Sequence, residues 1–399
     1  MSAQDIRCQN DLEIYQNLLN HPDVKKANEL IAKRTAEGPG GLRRRLLSTS
    51  VRLSRGMAPD IHKMADECIE KLSMTLPLEL YVFASPQFNA MCFKPEEGRL
   101  FVMFSSSLLE AFEESELRFV MGHELGHHIY GHHDIPVGYI LQGERRPDPR
   151  LALELFTWSR YAEISADRAG AHCTNDLVSV SKSLFKLSSG LSGKVIQFDL
   201  NEFLKQIDDM QEEDAEPGKN APMEDWFSTH PFSPLRVKAL KLFDESELAR
   251  KDGTKKMDLE VAVQGLMSFM EPSYLEGKSE TAIHMSRLLY TGAIVVADAS
   301  DGISKEEIEV FEQFFGKREF SDGLDIQKIK DSLAERIKNV LATATQTQCM
   351  QIIRDLCLVS KASGTVTVEE RHVLEKITIE LGIPPNFLYR ALAQDCEMD

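Results

Sequence analysis

The chain has 399 residues, enough for two or three domains with hydrophobic cores of their own. It carries 46 Lys and Arg against 63 Asp and Glu, and the resulting net charge of −17 argues against nucleic acid as a partner, because phosphate binding needs a basic face. Its 42% hydrophobic and 27% charged residues are typical of a globular protein. The longest apolar run, Leu288 to Ala297, is far shorter than the roughly 20 residues of a transmembrane helix, so no such helix is predicted.

Neither the first residues nor the cysteines indicate export. The opening sequence MSAQDIRCQNDLEIYQ lacks the basic region, the apolar region and the cleavage site of a signal peptide. The seven cysteines are odd in number and scattered without close pairs, which fits reduced thiols better than a disulfide framework. We therefore expect a cytoplasmic protein.

Residues 1–55 are predicted to form an N-terminal helical and basic segment. Apolar residues recur at helical spacing up to about residue 35, and a glycine-rich hinge follows at Gly38 to Gly41. One interpretation of the basic stretch after the hinge is an amphipathic patch for anionic lipid or an acidic partner. The other, which the acidity of the chain favours, is an arm that packs against its own acidic residues. The stretch contains Arg43, Arg44, Arg45, Arg52 and Arg55.

Residues 56–250 combine helices with short strands. Apolar spacing predicts a helix over 60–73, and alternating apolar residues predict strands over 78–84, 89–93 and 99–104, the last two joined by the turn PEEG. A further helix is predicted to begin near residues 113–115, and a second long helix to cover about 150–173. Together these elements predict an α+β fold with a small antiparallel or mixed sheet.

The rest of the chain is predicted to contain an acidic loop and an all-α region. The segment Asp208 to Asp225 is interpreted as a solvated loop, with a lid over a nearby cleft as the alternative. A charged linker leads into a helical region over 255–399, which contains an internal repeat whose copies each open with a capping box. Neither copy has the ligand spacing of an EF-hand, so calcium binding is not expected. The two capping boxes pair Ser304 with Glu307 and Thr367 with Glu370.

The motif HELGH carries the strongest chemical signal. His123 and His127 are four residues apart on a predicted helix, so both imidazoles lie on one face and can bind a single Zn²⁺. Glu124 lies next to the first histidine and can act as a general base on water in the open coordination position. A motif of this length also occurs by chance, so the metal site needs a third ligand.

The second long helix offers that ligand. Its sequence RYAEISADRAGAH places Glu163 and Asp167 four residues apart, again on one face. Glu163 can complete a His₂Glu site, and Asp167 can accept the free ring N–H of a ligating histidine. His128, His132 and His133 extend this cluster of histidines, so a different pair of zinc ligands from this set stays open. His132 itself is interpreted as a core or cap residue near the helix end.

The later segment THPFSPLRV adds two candidates. Beside a zinc ion, His230 and Arg236 could stabilise the oxyanion that forms during carbonyl hydrolysis. His230 could instead occupy the open zinc position and keep an enzyme inactive. In the alternative without function, Arg236 pairs with an acid and His230 caps a turn.

The order of these motifs, HELGH, then EISAD, then THPFSPLR, resembles that of the gluzincin zinc peptidases of the HtpX-like and CaaX-prenyl-protease family. The resemblance covers about residues 56–245 and implies a zincin-like catalytic domain. Unlike members embedded in membranes, the chain has no apolar span between HELGH and the third ligand. The resemblance implies Glu124 as base, Asp167 behind the ligands, a match of His230 and Arg236 to later family positions, and the zinc ligands His123, His127 and Glu163.

The C-terminal repeat is similar to a TerB-like helical domain, which implies interaction or sensing. Combined with the zinc motif, it predicts residues 56–250 as the peptidase domain and 255–399 as the TerB-like domain. The predicted function is a zinc endopeptidase, with one Zn²⁺ per chain, that cleaves unfolded or flexible polypeptide segments. The alternative is a latent or non-catalytic zinc protein that works as a scaffold and binds a protein partner through its C-terminal domain. In the enzyme, an edge strand would bind the extended substrate at Phe101, Val102 and Met103.

Overall fold

A computed structural model describes residues 2–37, 41–142, 149–192, 196–214, 229–270, 280–300, 303–309, 326–361 and 365–393. The chain divides into two compact units, Met1–Gln206 with Phe227–Glu260 and Ile207–Trp226 with Val261–Asp399. Most of the predicted hinge, the acidic segment beyond residue 214, and Gly302 and Gly364 of the C-terminal repeat lie outside the described residues. The division into 1–55, 56–250 and 255–399 stays a prediction.

The first unit begins with short helices that end in a strand. Arg43 pairs with Glu79 at 3.0 Å and Arg55 with Asp66 at 2.7 Å, so these two arginines contact acids of the same unit, as the packing interpretation of the basic stretch predicts. Leu46 is buried in a cluster with residues of the sheet. The elements are α1 (Ala3–Ile6), α2 (Gln9–Asn20), α3 (Pro22–Glu37), α4 (Leu42–Thr49), β1 (Val51–Leu53) and α5 (Pro59–Lys71).

The sheet is small and mixed, as predicted. Its strands β1, β2 (Leu78–Phe83), β3 (Ala90–Glu96) and β4 (Arg99–Ser105) lie in the order β1-β2-β4-β3. The β2–β4 pair is parallel, and the other two pairs are antiparallel. The predicted hairpin between β3 and β4 is confirmed. Glu97 and Gly98 form its turn with φ values of 50° and 71°, a left-handed conformation that glycine adopts without strain.

The predicted role of β4 as an edge strand is wrong. Phe101 and Val102 pair with β2 on one side and with β3 on the other, and Met103 does the same. All three are buried, with at most 9% of their surface exposed. Their backbone groups are therefore already hydrogen-bonded within the sheet and cannot bind an extended substrate. The strand at the end of the sheet on this side is β3.

Two helices that pack very closely carry the predicted motifs. Helix α7 (Glu114–Ile129) opens with a capping box between Glu113 and Glu116, and helix α9 (Pro149–Thr174) lies against it. A Cβ atom added at Gly126 would lie only 2.8 Å from the Cβ of Ala169, so the small residues allow the two helices to approach. The remaining helices of this part of the chain are α6 (Ser106–Ala111), α8 (Val137–Leu141), α10 (Leu177–Ser189), α11 (Leu200–Asp214) and α12 (Ser233–Asp244).

The N-terminal helices share a hydrophobic cluster with the motif-bearing part of the chain. Leu18 of α2 and Val24 of α3 are buried against Leu155 and Trp158 of α9. A cluster of this kind contributes about 1.5–3 kcal/mol per fully buried large side chain. The N-terminal segment is therefore packed as part of the first unit.

The described elements of the second unit are helices around one apolar core. Leu288, Ile353, Leu356 and Ile377 are fully buried in this core. The capping box at Thr367 is present, and Ser304 and Glu307 exchange the bonds expected of the other. The helices from the linker onward are α13 (Lys256–Met267), α14 (Glu280–Ala297), α15 (Ile326–Asp331), α16 (Leu333–Thr343), α17 (Gln346–Lys361), α18 (Val368–Glu380) and α19 (Pro385–Ala393).

Candidate metal centre

Three predicted ligands converge between α7 and α9. The Nε2 atoms of His123 and His127 lie 3.1 Å apart, and the Glu163 carboxylate lies 3.5 Å from the first and 3.4 Å from the second. Two donors bound to one tetrahedral zinc at about 2.0–2.2 Å lie roughly 3.4 Å apart. In the described part of the chain this is the one group of at least three His, Cys, Asp or Glu side chains arranged to hold a metal ion.

The charge on Glu163 also fits a cation. The residue is 7% exposed, and its Oε2 atom is buried without a hydrogen-bond partner among the described residues. Burial alone would raise the pKa of this carboxyl group, but its interactions with the neighbouring His230 and His127 hold it well below 4.5. A buried, ionised carboxylate with one unsatisfied oxygen, facing two imidazole nitrogens, is a suitable donor set for zinc.

Asp167 orients the first histidine from behind. Its Oδ1 atom lies 2.9 Å from Nδ1 of His123, so Nδ1 carries the hydrogen and Nε2 keeps its lone pair toward the cluster. Arg236 donates to both oxygens of Asp167, at 2.8 and 2.6 Å. Burial raises the pKa of Asp167, but the charge and the hydrogen bonds of Arg236 outweigh it and lower that pKa.

His127 has a different support. Its Nδ1 atom lies 2.8 Å from Nδ1 of His132, and Nε2 of His132 lies 3.1 Å from the Oδ2 atom of Asp11. His132 is 6% exposed and Asp11 fully buried. Burial lowers the pKa of His132 to about 4, so its ring is neutral near pH 7 and can accept a hydrogen bond.

Glu124 lies in the same buried pocket of charges. It is 8% exposed, and its charge acts on His127 and Arg236. On the sheet side, helix α7 packs against strand β3. Burial, with the charge of Glu124, raises the pKa of the Cys92 thiol of this strand well above 9. Strand β3 therefore runs beside the candidate base.

The last two predicted residues are placed differently from one another. His230 is exposed, and its Nε2 atom lies 3.5 Å from Oε1 of Glu163, so it reaches the edge of the ligand cluster. Arg236 is 8% exposed and uses its guanidinium on Asp167, with Glu163 at 3.4 Å. The sequence analysis gave pairing with an acid as one alternative for Arg236, and this pairing is present. The guanidinium therefore binds the two carboxylates.

Sequence reasoning missed the contribution of Asp11. The sequence predicts His132 as a core or cap residue. Its position five residues after His127 is the one feature of the sequence that indicates a role in supporting that histidine. Nothing in the sequence distinguishes Asp11, because acidic residues are common in the first turn of a helix, where they interact favourably with the helix dipole. Only long-range packing brings it to the site.

The comparisons with known proteins concern this same region. The model of peptidase family M48 matches residues 57–142 and 150–243, somewhat less than half of the chain. The chain is 31% identical over 169 residues to the chloroplastic plastoglobule-localized metallopeptidase 48 of Arabidopsis thaliana, over 40% of this chain and 49% of that protein. It is 25% identical over 216 residues to a Protease HtpX homolog of Helicobacter pylori strain J99, over 45% of this chain and 66% of that protein.

The chain thus spans about half of the plant relative and just under two thirds of the bacterial one. No solved structure gives a significant match. Within the described ranges, no helix has the length and apolar character needed to cross a bilayer. The comparisons support a relationship to the M48 metallopeptidases for the part of the chain that holds His123, His127 and Glu163.

Proposed function

We propose that the protein is a zinc-dependent endopeptidase of the gluzincin type. The observation that carries the proposal is the convergence of His123, His127 and Glu163 at distances that fit one zinc ion, with Glu124 on the same helix. Two imidazoles and one carboxylate leave one coordination position for substrate chemistry, which a purely structural zinc site does not need.

Zinc held there would activate a water molecule and polarise the scissile carbonyl group. Glu124 takes the proton from the attacking water and passes it to the leaving amine, so the peptide C–N bond breaks as the amine gains its hydrogen. Asp167 holds the His123 ring in the orientation that a metal ligand needs, and Arg236 holds the Glu163 carboxylate beside it. The low exposure of these groups strengthens every charge interaction in the site.

The substrate would bind along β3, since the predicted strand β4 is interior. The outer edge of β3 has no strand partner among the residues that the structure describes, and this strand packs against α7, the helix that carries Glu124. An extended segment could add to this edge through backbone hydrogen bonds. Only unfolded or flexible polypeptides present such segments, so these are the proposed substrates. A cytoplasmic location stays a prediction.

One observation favours a second candidate, a latent or non-catalytic zinc protein. His230 reaches within 3.5 Å of Glu163 and could fill the position that water needs. In this case the predicted TerB-like region would be the working surface, with a protein partner. An intact Glu124 beside the ligands favours the enzyme, because a structural zinc site has no use for a base.

The test compares cleavage of an unfolded casein by the zinc-loaded wild type, Glu124→Gln and Glu114→Gln. Glu114 lies on the same helix with 76% of its side chain exposed, so it controls for the loss of a charge on α7. We expect fragments from the wild type and Glu114→Gln alone, with zinc still bound by Glu124→Gln. Equal cleavage by Glu124→Gln would contradict the mechanism. No cleavage by any zinc-loaded form would favour the latent protein, and His230→Ala should then release activity.

A further inference from the structure

Asp11 is a buried carboxylate with an unusually complete set of donors. Arg7 donates to it from Nε at 2.8 Å and from Nη2 at 3.1 Å. Trp158 donates to Oδ1 at 3.0 Å and Ser165 to Oδ2 at 2.6 Å. Nε2 of His132 lies 3.1 Å away. The Asp11 carboxylate is therefore bonded by groups from three stretches of the first unit, namely its own, helix α9 and the segment that follows α7. This fixes the position of both oxygens within the protein interior.

The hydrogen-bond directions follow from that carboxylate. An ionised carboxylate only accepts, so Nε2 of His132 carries a hydrogen and donates it to Asp11. With its hydrogen on Nε2, the His132 ring presents the lone pair of Nδ1 to Nδ1–H of His127, 2.8 Å away. The remaining nitrogen of His127, Nε2, is thereby left without hydrogen and turned toward His123 and Glu163. A metal ligand needs this tautomer.

We infer that Asp11 and His132 are positioning residues for the metal ligand His127, so that helix α2, which carries Asp11, is part of the metal centre. The inference rests on the proposed zinc site and goes beyond it, because Asp11 lies outside the residues that the M48 family model matches. His123 is oriented directly by Asp167, whereas His127 depends on a carboxylate two hydrogen bonds away.

The N-terminal segment is built to keep Asp11 in place. Cys8 donates its backbone N–H to Ser165 at 3.1 Å, and Arg168 bonds the Ile6 carbonyl at 3.3 Å. Tyr130, at the end of α7, donates to the Ala3 carbonyl at 2.8 Å. These contacts flank the relay, the chain of hydrogen bonds from Asp11 through His132 to His127. Residues 3–11 are therefore fixed against the two helices that carry the ligands.

The test measures the zinc dissociation constant of the full chain by competition with a chromogenic chelator, so that activity is not needed. The variants are Asp11→Asn, His132→Ala, the double variant of both, and His132→Gln. Tyr81→Phe is the matched control, because it removes the hydrogen bond of a buried tyrosine in the sheet, from its hydroxyl to Glu79 at 2.8 Å, and this tyrosine contacts neither Asp11 nor His132. The Tm of each metal-free protein and the absorption spectrum of each Co²⁺-loaded protein accompany the binding data.

We expect Asp11→Asn and His132→Ala each to weaken zinc binding about 10–100-fold, as loss of a partner behind a ligating histidine typically does. The double variant should be no weaker than His132→Ala, since Asp11 acts through His132. His132→Gln should recover part of the affinity, because its amide can accept from His127 and donate to Asp11. The Co²⁺ spectrum should change in Asp11→Asn but not in Tyr81→Phe, whose Tm alone should fall.

Three results would overturn the inference. Zinc affinity within twofold of the wild type in both Asp11→Asn and His132→Ala would show that His127 needs no such support. Additive losses in the double variant would assign Asp11 a purely structural role. A wild type that binds no zinc would remove the proposed function as well. By contrast, a wild type that binds zinc as expected but cleaves nothing would contradict only the peptidase.

Discussion

The close approach of α7 and α9 makes Gly126→Ala a sensitive perturbation of the metal centre. The added Cβ would lie 2.8 Å from the Cβ of Ala169 and 3.1 Å from the Cα of Ala166. Ordinary contacts between such atoms begin near 3.4 Å, so the helices must separate by about 0.6 Å. Glu163 lies one turn before Ala166 and would move away from the imidazoles with its helix.

The magnitude follows from two opposing contributions. Overpacking of this kind costs about 1–3 kcal/mol, and the gain in helix propensity from glycine to alanine offsets up to about 1 kcal/mol. We therefore expect a net loss of about 1–2 kcal/mol in the free energy of unfolding of the metal-free protein. Zinc sites tolerate ligand displacements of only about 0.2 Å, so zinc binding should weaken at least about tenfold.

Urea unfolding of the metal-free protein and chelator competition for zinc measure the two effects. Gly138→Ala is the control, since it is the same substitution in helix α8, where an added Cβ meets nothing within 4 Å. It should leave zinc affinity unchanged and stability equal or slightly higher. If Gly126→Ala matched this control in both measurements, the link between helix separation and ligand geometry would be refuted.

Three further predictions concern a buried ion pair, the pH dependence of stability and the effect of removing zinc. Arg236→Gln should cost about 3–5 kcal/mol in urea unfolding by removing the cation that pairs with the buried Asp167 carboxylate. Arg55→Gln, in an exposed pair, should cost at most about 1 kcal/mol. Burial, with the three neighbouring histidines His127, His132 and His128, lowers the pKa of His133 from 6.5 to about 4. The unfolded chain therefore binds more protons between these values, and stability should fall as pH drops from 6.5 to 4, by at most about 3 kcal/mol and less in His133→Gln. A chelator should lower the Tm of the zinc-loaded wild type by removing a ligand that binds only the folded state, and should leave that of Glu163→Gln unchanged.

Local sequence patterns predicted the elements that carry the site. The helix expected over 60–73 is Pro59–Lys71, and the strand expected over 78–84 is Leu78–Phe83. The second motif helix, expected near 150–173, is Pro149–Thr174. These succeed because apolar periodicity and caps are local properties. The i, i+4 spacing of the motif residues has the same origin, since a helix turn places them on one face.

Non-local pairing was beyond the same reasoning. Alternating residues showed that 99–104 form a strand, but its position in the sheet depends on the parallel pairing with Leu78–Phe83. That pairing places β4 in the interior and leaves β3 at the end. Likewise, the neighbours of Asp11 are 121 to 154 residues away along the chain, apart from Arg7. No pattern within one helix could report them.

The packing of helices α2 and α3 against α9 has a practical consequence for the design of truncated versions of this protein. A fragment cut at the limits of the family match, near residues 57 and 243, would retain every motif residue. It would also uncover the apolar faces of Leu155 and Trp158, which Leu18 and Val24 now cover. Such a fragment should aggregate or hold its metal poorly, and an inactive result from it would say nothing about the activity of the intact chain. The smallest piece worth expressing begins upstream of α1.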